Sequence, residues 1–190
     1  MPPRTQGDRF RRRVGAVAGL LLAWLATLAP ALALAQVEEA ELSAAYLYNF
    51  SKFVHWPATA LSDSSNALVL CVYGRPGSAG EAIGALDGKP AQGHRIRVER
   101  LARGDTFKGC QIVYVSDSER PFLSPLLRTL ANQPALTVSD IPGFASAGGM
   151  IGLVMVDNRL RFEINRQSAE AAGLTISSQV LKLATRVVRE

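Results

Sequence analysis

The run Ala67–Tyr73, ALVLCVY, is apolar at every position and stops at Gly74. A strand with water on one face would alternate, so an unbroken apolar run of this length reads as a strand buried on both faces. The run Cys110–Ser116, CQIVYVS, repeats the pattern. Between them, Gly80–Leu86 is weakly helical, Asp87–Gly93 (DGKPAQG) is a loop, and Arg95–Leu101 (RIRVERL) alternates as a half-exposed strand does. After them, Pro121–Ala131 places Leu123, Leu126, Leu127 and Leu130 at helical spacing, and Leu136–Val138 restarts a strand. Strands alternating with helices argue for an α/β sheet with parallel members.

The C-terminal third departs from that rhythm. Met150–Val156 and Leu160–Ile164 are two β runs joined at Asp157-Asn158-Arg159, a hairpin signal. Arg166–Ala172 and Ser177–Val188 then read as two helices split by Gly173. Upstream, Leu42, Ala45, Tyr46, Asn49, Phe50 and Phe53 recur at helical spacing within Val37–Val54. They make an aromatic-rich amphipathic helix packed on the core, with Glu38, Glu39 and Glu41 at its N-terminal end and a stop near His55 forced by Pro57. The expected fold is α/β: a single three-layer domain, a mixed sheet with parallel core strands and a C-terminal β-hairpin, and helices on both faces.

The first residues speak to compartment. Arg9, Arg11, Arg12 and Arg13 precede an uncharged apolar run, Val14–Ala29, and then Ala33-Leu34-Ala35. Basic n-region, apolar h-region and A-x-A site together read as a secretory signal peptide over residues 1–35, cleaved before Gln36. The apolar run is short for a membrane span of about 20 residues. The domain then occupies residues 36–190. The leader holds five arginines and one aspartate of a chain with 21 basic and 16 acidic residues, so residues 36–190 are nearly neutral at +1. That balance leaves no electrostatic footprint for nucleic acid. Two cysteines, Cys71 and Cys110, lie in this part. An even count in an oxidising compartment favours one disulfide over two buried free thiols, and the absence of C-x-x-C argues against a catalytic redox pair.

Sites for chemistry are sparse. His55 and His94 are the only histidines, and neither has a second His, Cys or carboxylate at metal-ligand spacing. Ser146 in FASAGG lacks the G-x-S-x-G elbow. Gly148 and Gly149 precede a strand, whereas phosphate loops follow a strand and open a helix. Gly74–Gly80 (GRPGSAG), after the first buried strand, is the better ligand-loop candidate but has neither dinucleotide nor P-loop spacing. These features leave the Gly-Gly stretch as scaffold: a Pro-Gly turn and glycines that let the backbone enter the hairpin.

Two long motifs carry a resemblance. Ala40–Ala58 (AELSAAYLYNFSKFVHWPA) and the block from Leu136 to Ala184, with its Gly-Gly-Met, Arg-Phe-Glu-Ile-Asn and Leu-Lys-Leu-Ala, resemble the signatures of the YfiR family of exported proteins. Tyr114–Glu119 (YVSDSE) matches between them. The resemblance implies a periplasmic regulator, not an enzyme, with no cofactor. It would bind the periplasmic sensory part of an inner-membrane diguanylate cyclase and hold it inactive, until an outer-membrane OmpA-like lipoprotein sequesters it. A Cys71–Cys110 disulfide suits that compartment, and a homodimer is compatible with it. A small-molecule sensor using GRPGSAG and the aromatic helix is the alternative. Residues named for a partner surface are Phe144, as an exposed aromatic, with Phe162, Glu163 and Asn165 on a last strand that reads as a sheet edge.

Overall fold

The computed structural model describes residues 38–61 and 67–188. The expected signal peptide, residues 1–35, lies outside the described residues. The compact unit that carries the fold begins at Glu39.

Eight strands form one mixed sheet in the order β10 (Arg186–Val188), β8 (Arg159–Asn165), β7 (Ile151–Val156), β6 (Leu136–Ser139), β5 (Ile112–Val115), β2 (Ala67–Tyr73), β4 (His94–Leu101) and β3 (Pro90–Ala91). At its centre lie β2 (Ala67–Tyr73), β4 (His94–Leu101), β5 (Ile112–Val115), β6 (Leu136–Ser139) and β7 (Ile151–Val156), each parallel to its neighbour. The two unbroken apolar runs pair directly, Cys71 opposite Val113, and β2 and β5 are buried on both faces apart from the partly exposed Ala67. β3 (Pro90–Ala91) runs antiparallel at one edge. At the other end β8 (Arg159–Asn165) returns antiparallel to β7. Asp157 and Asn158 both take positive φ (48° and 56°), as a two-residue type I′ turn requires.

Crossovers cover both faces. α1 (residues 38–53), α2 (Gly77–Ile83), α4 (Arg166–Ala171) and α5 (Ser178–Leu183) pack on one face, where Leu47, Phe50, Ile83, Ala169 and Val180 join Leu70, Tyr114, Leu153 and Phe162. α3 (Leu123–Leu130) covers the other face with Leu126, Leu127 and Leu130. The expected three-layer α/β domain is what forms.

The disulfide also forms. Cys71 and Cys110 are bonded, with Cα atoms 5.9 Å apart, in the core beneath Phe107 and Tyr73. Trp56 explains the Trp-Pro motif: its indole N–H donates to the Gln111 carbonyl at 2.9 Å. The Gln111 side chain accepts from the Val69 N–H at 2.7 Å and donates to Ala60 O at 2.8 Å. One buried amide thus ties β2, the start of β5 and the short helical turn Ala58–Ala60 together, its oxygen and nitrogen both partnered.

Three local expectations need correction. The buried stripe of α1 is Ala40, Ser43, Ala44, Leu47, Phe50 and Ser51, while Leu42, Ala45, Asn49 and Phe53 face outwards. The two serines can be buried because each donates to a carbonyl of its own helix, Ser43 to Glu39 O and Ser51 to Tyr48 O. Secondly, Val54–His55 leave the helix as β1, paired with β9 (Thr175–Ile176) in a separate two-stranded sheet. Thirdly, Ser177–Val188 is not one helix. α5 stops at Leu183, and β10 (Arg186–Val188) joins the sheet parallel to β8. Thr185 makes the switch, its N–H and hydroxyl both donating to Phe162 O, and the β-branched Val187 and Val188 suit a strand.

Candidate contact surface at the C-terminal hairpin

The stretch from Leu136 to Asn165 spends most of its polar groups on holding itself in place. Thr137 Oγ1 accepts from the Met150 N–H at 3.0 Å. Ser139 Oγ donates to Val115 O at 2.7 Å and accepts from the Ile141 N–H at 3.0 Å. Residues 140–150 make the parallel crossover from β6 to β7 as a chain of turns, with Gly143 and Gly148 at φ 76° and 104°. A Cβ on Gly149 would lie 2.2 Å from the Phe144 ring. The glycines are scaffold.

Phe144 is only 1% exposed and Phe162 only 3%. Neither presents a surface, which corrects the expectation for both. Phe144 is drawn in because its ring fills the space that Gly149 leaves open. Phe162 points to the helical face, edge-on to both Tyr46 and Phe50 with centroids 5.2 Å away. Nor is β8 an edge at Glu163–Asn165, where β10 pairs with it. Asn165 is half-buried and occupied. Its Oδ1 caps α4 by accepting from the Ser168 N–H, and its Nδ2 donates to Ala145 O. Glu163 is partly exposed and takes Arg186 in a bidentate pair, at 3.0 and 2.8 Å.

Strand pairing shows what surrounds Glu163. Gly152, Glu163 and Arg186 stand in one row across β7, β8 and β10. Val154 faces Arg161 in the next row, and Val156 faces Arg159 in the third. Directly opposed residues share a sheet face, and Gly152 marks that face as the one under Ala145 and Phe144. Ser146 Oγ, which lacks a nucleophile elbow in the sequence, accepts from Arg186 at 2.8 Å. The first row is therefore covered by the crossover loop, whereas burial fades along β7 towards the turn. Arg159, Arg161 and Arg186 are the residues that the sequence alone does not single out. Alternation along β8 carries a signal for the first two, but Arg186 is concealed in a run whose pattern reads as helix.

Other sites fare differently. Gly74 in GRPGSAG sits against Glu119 and Ser118, and a Cβ there would meet both at 2.7 Å. Glu119 is buried and paired with Arg103 at 2.8 Å. Its carboxylate faces the loop that an anion would need. Among the described residues no group of three or more His, Cys, Asp and Glu could hold a metal ion. Nδ1 of His94 is buried without a hydrogen-bond partner.

At the C-terminal ends of β5 and β6, Asp140 interacts with the buried Tyr114. Burial pushes the Asp140 carboxyl above its ordinary range, against the Tyr114 hydrogen bond that lowers it. A folded state with a raised carboxyl pKa holds the proton more tightly than the unfolded chain. Its contribution to stability therefore falls as pH rises from the unfolded pKa through the folded one. Asp140→Asn should remove that decline, so the melting-temperature gap over wild type should grow in the mutant's favour from pH 4 upwards. A gap independent of pH would count against the assignment.

Comparison with known proteins adds the last element. A family model described as YfiR/HmsC-like matches residues 40–185. Two solved structures are similar in part. A conserved domain protein from Vibrio cholerae has 14% identity and a TM-score of 0.47 over 63% of this chain. An ABC domain in complex with L-Trp from Streptococcus pneumonia has 13% identity and a TM-score of 0.49 over 69%. The chain spans only 54% and 59% of those two chains, and at such scores neither carries an argument. No helix among the described residues is long and apolar enough to cross a membrane. The family match spans nearly all of the described fold, from the first turns of α1 to the residue before β10: the chain belongs to the YfiR/HmsC-like family.

Proposed function

We propose that this protein is a periplasmic repressor that binds the sensory domain of an inner-membrane diguanylate cyclase and lowers cyclic di-GMP. An outer-membrane OmpA-like lipoprotein would relieve the repression by sequestering it. The single observation that carries this reading is the family match over residues 40–185. The buried disulfide suits an oxidising compartment, and residues 1–35 would supply the export signal as a cleaved leader. The reading assigns no catalytic residue and needs no cofactor. Contact would be made through surface around the C-terminal hairpin, including Glu163 and the exposed edge of Asn165, and a homodimer is compatible with it.

Deleting the gene in its host should raise cyclic di-GMP several-fold, and restoring the chain in trans should reverse the rise. An unchanged level in the deletion strain, with no diguanylate cyclase co-purifying with the tagged protein, would remove the repressor reading for this member.

A further inference from the structure

The upper two rows of the hairpin face are uncovered. Val156 is 40% exposed, and Met155 on the opposite face of the same strand is 50% exposed. Arg159 and Arg161 are exposed, and among the described residues their guanidinium groups make no hydrogen bond, ion pair or ring contact. This contrasts with Arg186 in the row below, which is held by both Glu163 and Ser146. Two unpaired arginines thus stand on one strand, each directly beside a valine of the next.

We propose that this face docks an acidic protein segment of the partner restrained by the chain, with two of its carboxylates received by Arg159 and Arg161 and an apolar side chain laid over Val154 and Val156. The inference rests on the repressor reading and names the surface and the chemistry of its partner. Arginine suits the role because its planar fork can grip a carboxylate with two parallel hydrogen bonds, and it is enriched where interfaces concentrate their energy. Residues two apart on a strand lie about 6.8 Å apart. Carboxylates at i and i+2 of a strand, or i and i+4 of a helix, match that spacing. The charge is discrete, bracketed by Asp157 at the turn and Glu163 one row down. A lipid or nucleic-acid surface calls for a broad basic field instead.

The test uses the full chain expressed from its own locus, with a photo-crosslinking amino acid in place of Val156. A control chain carries it at the exposed Lys108, far from the hairpin in sequence. The expected result is a protein adduct from position 156 and not from 108, mapping to a peptide with at least two Asp or Glu. Adding Arg159→Glu and Arg161→Glu should reduce that adduct at least tenfold, because reversed charges remove steering and place like charges together. Arg159→Ala with Arg161→Ala should also lose the adduct and leave the melting temperature unchanged, since neither guanidinium has a partner to lose and no like charge is added beside Asp157 and Glu163. Absence of an adduct at 156, an adduct that survives the charge reversal, or a crosslinked peptide without acidic residues would overturn the proposal. An acidic adduct on the OmpA-like lipoprotein would overturn the assignment of this face to the restrained partner. One on any protein other than that lipoprotein or a diguanylate cyclase would uphold an acidic docking surface while removing the repressor reading. Cyclic di-GMP measured in the same strains reports on that reading separately.

Discussion

Replacing Cys71 and Cys110 together by alanine should lower the free energy of unfolding by about 4 kcal/mol in denaturant titrations. The bond joins β2 to Cys110, two residues before β5, across a sequence separation of 39. In the chain-entropy model, opening a loop of that length returns entropy to the unfolded chain and stabilises it by about 4 kcal/mol. The loop contains α2, β3 and β4, so the whole β4–β3 edge of the sheet lies within it. Cys71 is fully buried and Cys110 nearly so, under Tyr73 and Phe107, whose rings meet edge-on at 4.9 Å. Reductant should therefore act slowly on the native protein and fast once denaturant opens the core. A loss below about 1 kcal/mol would show that the bond does little to restrict the unfolded chain.

Gly149→Ala should be nearly as costly, at about 3 kcal/mol. The added methyl would sit 2.2, 2.4 and 2.6 Å from three atoms of the Phe144 ring, far inside contact distance. That ring is fully buried among Leu127, Leu130 and Ile141, so it cannot swing away without disturbing the α3 face. Gly148→Ala offers the internal control. Nothing lies within 4 Å of its Cβ position, and only its φ of 104° is unfavourable, which costs about 1–2 kcal/mol. Shrinking the ring should couple to the first change: Gly149→Ala with Phe144→Leu should lose less than the two single losses combined. Thermal and denaturant unfolding of the four variants checks this. A Gly149→Ala protein as stable as wild type would mean that the crossover relaxes freely and that the glycine is not a packing device.

Phe144 and Gly149 show how much of the site is legible in one dimension. The glycines can be recognised as scaffold because no base, helix or ligand set accompanies them. Which aromatic ring they make room for cannot be read, and a phenylalanine among turn residues passes for an exposed contact. A turn-rich stretch looks like surface in the sequence, yet this one crosses over a sheet face and must bury something there. Phe162 is buried for a similar reason, because Tyr46 and Phe50 reach it from α1. Arg186 lies within a run that reads as helix, so its pairing with Glu163 has no local signal.

From sequence alone come the elements that depend on local pattern. The unbroken apolar runs at Ala67–Tyr73 and Cys110–Ser116 have no stable alternative to double-sided burial, and Asp157-Asn158 accommodates a turn with two positive φ values. Two cysteines on or beside those runs bring the disulfide within reach as well. Tertiary structure decided the rest, because it depends on partners distant in the chain. It chose the face of α1 that buries its serines, drew Thr185–Val188 out of the helix and into the sheet beside β8, and left Arg159 and Arg161 unpaired while pairing Arg186. Periodicity reports which residues avoid water, but not which neighbours satisfy a buried hydroxyl, or leave a guanidinium free to meet another protein.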